Sequence, residues 1–144
     1  MLSPEERLEQ LEKIFEELED LSESTPIIVE GNRDVAALRR LGITKNVTAL
    51  HRGDTIFAFT EEIAKRHRKA VILTDWDRRG GLLARMLREA LAANGVAANH
   101  TLRARIVILS KKEIKDIESM PTFIDRLKAS TAGQPMHPRR AWNG

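Results

Sequence analysis

Between residues 26 and 95 the chain alternates three times between a short apolar segment and an amphipathic helical pattern, and no other feature constrains its fold as strongly. The predicted strands cover residues 26–30, 46–50 and 69–75, and the predicted helices cover residues 33–43, 55–67 and 80–95. A strand, a helix and another strand at this spacing form a right-handed crossover between parallel strands. The sequence therefore predicts an α/β protein built on a parallel sheet.

The C-terminal third of the chain continues this pattern less clearly. Residues 96–100 have the composition of a fourth strand, and residues 101–112 fit either a strand or a helix. Apolar residues at every third or fourth position favour the helix in this second segment. We therefore expect about four parallel strands between helices, in a domain that covers residues 25–130 and ends in a loop and a helix. A flexible basic tail is predicted for residues 131–144.

An extra amphipathic helix is predicted at the N-terminus, in residues 1–24. Ser3 fits the N-cap, Pro4 fits the first helical position, and Glu6 completes a capping box. Five apolar residues then form one stripe at spacings of three and four: Leu8, Leu11, Phe15, Leu18 and Leu21. The stripe is short for a coiled coil, which favours packing on its own domain. A homodimer, or a partner protein held through this helix, is the alternative.

The charges of the chain are divided unevenly. Residues 1–24 carry nine acidic residues and two basic ones, whereas the rest carries 22 Lys and Arg against 12 Asp and Glu. A basic body favours a polyanionic partner such as RNA or DNA, although a solvated basic surface would give the same counts. Cysteine is absent and no apolar run reaches the ~20 residues of a membrane span, so we expect a cytoplasmic protein without membrane association.

Three carboxylates lie where the predicted strands end. Glu30 ends the first strand, and Asp75 and Asp77 lie at and just beyond the end of the third. If these strands are neighbours, the acids converge and raise one another's pKa values, a conflict that a divalent cation resolves. Mg²⁺ takes carboxylate oxygens together with waters and phosphate oxygens. Glu30 and Asp77 could instead cap helices while Asp75 forms a turn, but three acids at strand ends favour a metal site.

These acids belong to two motifs. The first, in "VEGNRDVAALRRLG" (29–42), is Glu-Gly-x-x-Asp, and the second, in "ILTDWDRRGG" (72–81), is Asp-x-Asp-x-x-Gly. In this order they resemble the Toprim domain of type IA and type II topoisomerases, bacterial-type primases and certain ribosomal-RNA maturation nucleases. With the acidic leading helix and "KKEIKDIESMP", nearly the whole chain resembles the small stand-alone Toprim proteins of archaea. The resemblance implies a Toprim-like Rossmannoid fold with four parallel strands, in a cytoplasmic archaeal protein.

The resemblance also implies roles for individual residues. Glu30 would be the general acid or base in phosphoryl transfer, or a further metal ligand. Asp75 and Asp77 would hold Mg²⁺, for which Mn²⁺ can substitute, and the metal would neutralise phosphate charge. Gly31 would let the backbone turn tightly at the site, and Asp34 would support that loop by hydrogen bonding in the first helical turn.

Basic residues are expected beside these acids. Arg33, Arg52, Arg78 and Arg79 all fall in loops at the same edge of the sheet. A guanidinium group suits bidentate contacts to phosphate, so these arginines are candidate nucleic-acid ligands. His51 is a candidate proton shuttle, although a lone loop histidine is more often a surface residue.

Three further residues near the motifs have two interpretations each. Trp76, between the two aspartates, is expected to pack under the site rather than to stack on a base. Asp116 and Glu118 could supply a later acidic position, but a solvated helix face is the favoured interpretation for both.

Two functions are compatible with these residues. The first is a Mg²⁺-dependent nuclease or phosphotransferase acting on nucleic-acid phosphodiesters. The alternative is a non-catalytic module that uses the metal to bind nucleic acid or nucleotide within a larger assembly. The chain contains no tyrosine, so the covalent tyrosyl intermediate of topoisomerases cannot form within it. A receiver-like or dehalogenase-like phosphotransfer domain is disfavoured, because Asp-x-Asp follows the third strand and no lysine stands at a later strand end.

Overall fold

The computed structural model describes residues 1–50 and 53–132, in which a four-stranded parallel sheet carries helices on both faces. The strands are β1 (Ile27–Val29), β2 (Val47–Ala49), β3 (Lys69–Ile72) and β4 (Ala97–Asn99). The helices are α1 (Pro4–Ser22), α2 (Asn32–Arg40), α3 (Ile56–Arg66), α4 (Arg78–Ala93), α5 (Thr101–Ser110) and α6 (Met120–Ala132). The α/β fold, the parallel strands and the extra N-terminal helix expected from the sequence are confirmed.

The order of the strands across the sheet is β2-β1-β3-β4. β1 therefore lies beside β3, with Ile28 opposite Ile72, and the N–H of Leu73 donates to the carbonyl of Ile28 at 2.8 Å. In a parallel sheet the carboxyl ends of the strands meet at one edge. Glu30, which follows β1, is thereby brought next to the segment that follows β3.

Each face of the sheet carries its own apolar core. Successive side chains of a strand point to opposite faces, so each central strand contributes to both cores. The larger core contains Ile27, Val29, Val71 and Leu73 with residues of α1, α2, α5 and α6. The smaller core contains Ile28, Ala70 and Ile72 with residues of α3 and α4. The sheet is covered on both faces, which leaves its carboxyl edge as the place for polar side chains.

The N-terminal helix α1 is part of the larger core. Oγ of Ser3 accepts from the N–H of Glu6 at 3.1 Å, and Oε1 of Glu6 accepts from the N–H of Ser3 at 2.8 Å, which confirms the predicted capping box. Leu11, Phe15 and Leu18 are buried, so the expected packing of the stripe on its own domain is also confirmed. What α1 leaves exposed for a second copy or a partner is its glutamate-rich face.

Two boundaries near the predicted site differ from the sequence-based expectation. β3 ends at Ile72 rather than at Asp75, and α4 begins at Arg78 rather than at Gly80. The cause is local, because Asp77 is the N-cap of α4 and its Oδ1 accepts from the N–H of Gly80 at 2.7 Å. The chain therefore leaves the sheet before it reaches Asp75.

The C-terminal elements follow the expected order of strand, helix, loop and helix. The ambiguous segment 101–112 is helical over α5, and β4 precedes it as predicted. α6 continues through residues 131 and 132, and the rest of the predicted tail lies outside the described residues. None of the helices in residues 1–50 and 53–132 combines the length and the apolar content needed to cross a membrane.

Candidate functional site

Glu30, the first residue after β1, connects the ends of the two central strands. Its Oε2 accepts a hydrogen bond from the backbone N–H of Asp75 at 2.9 Å, and its Oε1 lies 3.7 Å from Nη1 of Arg79. The Glu30 side chain is only 13% exposed, whereas that of Arg79 is 80% exposed. Because an exposed ion pair contributes little, the backbone hydrogen bond is what fixes this carboxylate. The structure thus brings Glu30 and the Asp75 segment together.

Asp75 is partly buried beside Glu30. Burial raises the pKa of Asp75 to about 7. The hydrogen bond that its Oδ1 accepts from the N–H of Ile117, at 3.1 Å, lowers the pKa, but the nearby carboxylates of Asp34, Glu30 and Asp116 raise it further. A cation bound at this carboxyl group would therefore displace a proton near neutral pH.

Asp34, in the first turn of α2, is a second buried acid of the site. Its side chain is among the few buried charged groups of the described residues, and its Oδ2 accepts from the N–H of Gly31 at 3.1 Å. Burial raises the pKa of Asp34; the Gly31 hydrogen bond opposes the rise, and the carboxylates of Glu30, Glu118 and Asp116 add to it. The expectation that Asp34 supports the loop after β1 is confirmed.

Arg103 of α5 holds the backbone that carries Asp75. Its Nε donates to the carbonyl of Thr74 at 2.8 Å, and its Nη2 donates to the carbonyl of Asp75 at 2.7 Å. Burial lowers the pKa of Arg103, while the carboxylates of Glu30, Asp75 and Asp77 counteract that shift. Sequence patterns do not identify this residue, because the contact joins positions almost thirty residues apart and no motif includes it.

The loop between α5 and α6 is docked against the segment 75–77. The backbone N–H of Trp76 donates to the carbonyl of Lys115, and its Nε1–H donates to the carbonyl of Ile114, both at 2.8 Å. The ring packs against the larger core. Trp76 therefore packs under the site, as expected, and anchors the loop that supplies the Ile117 hydrogen bond to Asp75.

Gly80 is required by a close backbone contact. A Cβ placed on Gly80 would stand 1.9 Å from the carbonyl oxygen of Asp75, far inside van der Waals contact. Gly31 differs: its φ of −156° is extended, and nothing lies within 4 Å of the position its Cβ would take. The chain does bend at Gly31, but neither its φ nor a close contact requires glycine there.

A cavity of about 1040 Å³ opens at this edge of the sheet. Its charged lining comprises Glu30, Asp34, Asp75, Glu118, Arg33, Arg79 and Asp54. Nη1 of Arg33 lies 3.8 Å from Oε2 of Glu118, and both side chains are largely exposed. Neither Asp34 nor Asp75 forms an ion pair within residues 1–50 and 53–132. These two acids of the cavity therefore have no cationic partner there.

Glu118 and Asp116 do not lie on a solvated helix face, so the favoured interpretation of both was wrong. They belong to the non-helical stretch before α6, where Oδ1 of Asp116 accepts from the N–H of Ser119 at 2.8 Å. The hydrogen bonds of the neighbouring loop to Asp75 and Trp76 hold this stretch at the sheet edge. Glu118 thus adds a carboxylate to the cavity.

Two predicted site residues are not among those that line the cavity. Asp77 is exposed, with one oxygen engaged as the cap of α4, and Arg78 is exposed on the first turn of that helix. Arg52 and His51 lie outside the described residues. The structure therefore brings Glu30, Asp75, Arg33 and Arg79 together.

The donor chemistry of the cavity fits a hard divalent cation. Within the described parts of the chain, no three His, Cys, Asp or Glu side chains stand ready as a complete metal site. Mg²⁺ needs no such set, because it is commonly held by one or two carboxylates, waters and substrate phosphate. The carboxylates of Glu30 and Asp75 meet that requirement, since both residues line the cavity and the Glu30 carboxylate accepts a 2.9 Å hydrogen bond from the backbone N–H of Asp75.

The fold and this site together define a Rossmann-like α/β domain with an acidic centre at the carboxyl edge of its sheet. Residues 25–109 match the family model described as "Toprim domain". The chain therefore belongs to the Toprim domain family. Membership in that family points to a metal-dependent function related to nucleic acids.

Small archaeal proteins are similar to the chain over most of their length. It is 40% identical over 126 residues to a "UPF0292 protein" of Methanosarcina acetivorans, with 87% of each chain covered. It is 34% identical over 122 residues to one of Methanocaldococcus jannaschii, covering 85% of this chain and 95% of the relative. A solved structure, "putative protein from Aquifex aeolicus", superposes with a TM-score of 0.64 at 28% identity, covering 74% of this chain and 94% of the other.

Proposed function

We propose that the protein is a Mg²⁺-dependent enzyme that acts on nucleic-acid phosphodiesters, by nuclease-like hydrolysis or another phosphoryl transfer. One observation carries the proposal: Asp75 is held against Glu30 at the end of the central strands without a cationic partner in the described residues, and its pKa is raised to about 7. A divalent cation stabilises the ionised form of a carboxyl group with a raised pKa more than that of an unperturbed one. The membership in the Toprim family supports the same chemistry.

Glu30 and Asp75 would hold the metal, and Asp77 would reach it through the oxygen that does not cap α4. Mn²⁺ is expected to substitute, because it accepts the same oxygen ligands. When bound, the cation neutralises phosphate charge and polarises the phosphorus.

The other roles are proposed from position. Arg79 and Arg33 line the cavity and would bind phosphate oxygens. Arg78, in the first turn of α4, and Arg52, which is proposed from the sequence alone, would extend this contact along the substrate. Glu30 would in addition accept or donate the proton of the reaction, because its carboxylate is fixed by a backbone donor and lies in the cavity.

The test is an assay of the purified protein with single- and double-stranded RNA and DNA, in Mg²⁺, Mn²⁺ or EDTA. We expect metal-dependent cleavage that is lost in Glu30→Gln and in Asp75→Asn, by about 100-fold or more for removal of a catalytic carboxylate. Glu89→Gln, which removes an exposed carboxylate of α4 outside the cavity, is the matched control and should keep full activity.

The binding module is the alternative outcome of this assay. It would show metal-dependent retention of a nucleic acid without cleavage in preparations free of contaminating nuclease. In that case Glu30→Gln would alter binding only slightly, since a neutral amide still accepts the Asp75 hydrogen bond. Cleavage that persists unchanged in both carboxylate variants would refute the proposed enzyme.

A further inference from the structure

The cavity that contains the acids also has an apolar wall. We use this name for four residues: Leu50 after β2, Ile56 and Phe59 of α3, and Leu83 of α4. The wall comes from elements that pack on the smaller core, whereas Glu30, Asp34, Asp75 and Glu118 follow β1 and β3 or precede α6. Binding of a metal ion and a phosphate group does not require apolar surface, so the apolar side chains in this cavity need another explanation.

Leu83 indicates that this wall is more than the edge of a core. Leu50 and Ile56 pack against the smaller core and Phe59 belongs to it, so their apolar character has a structural explanation. Leu83 is only partly buried, and it is part of neither core of residues 1–50 and 53–132. An apolar side chain that lines a polar cavity without packing in a core is available to a ligand.

We propose that the apolar wall binds an unpaired nucleobase, so that the ligand of the site is a nucleotide unit of a single strand. The inference rests on the proposed function, which places a phosphodiester at the acids and at Arg79. A nucleobase is the apolar, flat group one sugar away from each phosphate, and apolar side chains accept its face without regard to its identity. In a duplex that face is stacked on neighbouring bases and is not available.

The size and the charges of the cavity are compatible with this ligand. A volume of about 1040 Å³ exceeds what a single nucleotide needs, since pockets of about 300–1,000 Å³ hold molecules of drug size. Arg33 and Arg79 stand in the same lining as the apolar wall, so one nucleotide could meet a guanidinium and an apolar side chain at once.

The experiment measures binding of fluorescent oligonucleotides to the full natural chain by anisotropy, with Ca²⁺, a hard cation that takes the same oxygen ligands, in place of Mg²⁺ to slow cleavage. Three probes of one length are compared: a single strand, the same strand with abasic residues, and a duplex. We expect the single strand to bind about tenfold more tightly than the abasic strand, as removal of about 55 Å² of apolar surface from water provides, and more tightly than the duplex. Leu83→Gln should lose this tenfold preference and bind the abasic strand as before.

Two further variants make the result interpretable. Leu82→Gln changes the neighbouring leucine, which is 49% exposed and does not line the cavity, and it should keep the preference. Leu83→Met retains an apolar side chain and should keep it as well, with circular dichroism confirming that all three variants are folded.

The possible results separate this inference from the proposed function. Equal affinity for the single strand and the abasic strand, with metal-dependent binding of both, would overturn the apolar wall as a base site and leave the proposed function standing. Tighter binding of the duplex would overturn the inference in the same way. A protein that binds none of the probes with any metal would refute both.

Discussion

Replacing Gly80 by alanine tests whether the first turn of α4 and the carbonyl of Asp75 must touch for the site to form. The added Cβ would stand 1.9 Å from that oxygen and 2.4 Å from its carbon, both backbone atoms that cannot rotate away. To reach 3.0 Å, below which real Cβ contacts are essentially not seen, the two segments must separate by about 1.1 Å. We therefore expect Gly80→Ala to destabilise the fold and to displace Asp75.

The magnitude follows from the hydrogen bonds that cross this contact. The Asp77 cap of Gly80 contributes about 1 kcal/mol, and the bond from the Thr74 hydroxyl to the Gly80 carbonyl about as much. The bond from the Asp75 N–H to Glu30 involves a charged acceptor and contributes about 1.5–3 kcal/mol. Losing two of the three costs about 2–4 kcal/mol, and the better helix propensity of alanine returns about 1 kcal/mol. The expected net loss is about 2 kcal/mol.

Gly81→Ala is the matched control, because Gly81 is in the same helical turn and nothing lies within 4 Å of its Cβ position. It should stabilise the protein by about 0.5–1 kcal/mol, since alanine replaces glycine in a helix without a clash. Urea unfolding followed by circular dichroism gives both free energies, and titration with Mg²⁺ should show weaker binding only for Gly80→Ala. Equal free energies of unfolding for the two variants would refute the claimed backbone contact.

Two further predictions concern groups away from the motifs. Arg103→Lys should weaken Mg²⁺ binding, measured by calorimetry, and lower the free energy of unfolding by about 1–3 kcal/mol. The reason is that lysine cannot hold the Thr74 and Asp75 carbonyls together. The control is Arg105→Lys, which changes an exposed ion pair with Glu17 and should have neither effect. The Thr44 N–H and then Lys45 lower the pKa of Glu19 to about 2, so its contribution to stability is complete above about pH 4.5 and is lost as the pH falls toward 2. Glu19→Gln should therefore be less stable than the natural chain at pH 7, with a difference that shrinks as the pH falls toward 2 and vanishes below it in urea unfolding. A difference that is independent of pH would contradict this assignment.

The order of elements and the pairing of the two motifs could be predicted from sequence because both depend on local patterns. The apolar segments and helical periodicities identify β1, β3 and the helices between them, and the rules for parallel strands place Glu30 and Asp75 at one edge. The prediction needed β1 and β3 to be neighbours, and the strand order β2-β1-β3-β4 satisfies that condition.

What the sequence did not reveal comes from tertiary contacts without a local pattern. Arg103 reaches the site from α5 through its hydrogen bonds to the Thr74 and Asp75 carbonyls. Glu118 reaches it because Trp76 and Asp75 bind the loop before α6. Leu83 differs from Leu82 only in which side of α4 it occupies. Periodicity gives the faces of a helix but not the cavity that a face borders.

Asp75 and Asp77 do not share one face of a strand; each lies in a different environment. Because β3 ends at Ile72, the residues between strand and helix form a short connection, and Asp77 sits where α4 needs a cap. Its charge lies at a helix N-terminus, where the exposed N–H groups and the helix dipole compensate it. Within the described part of the chain, the Asp75 carboxylate accepts one backbone hydrogen bond and has several acids around it, so electrostatic repulsion is concentrated there. A bound cation would relieve more electrostatic repulsion at Asp75 than at Asp77. We therefore expect Asp75→Asn to reduce Mg²⁺ affinity more than Asp77→Asn, in which the asparagine side chain still caps α4.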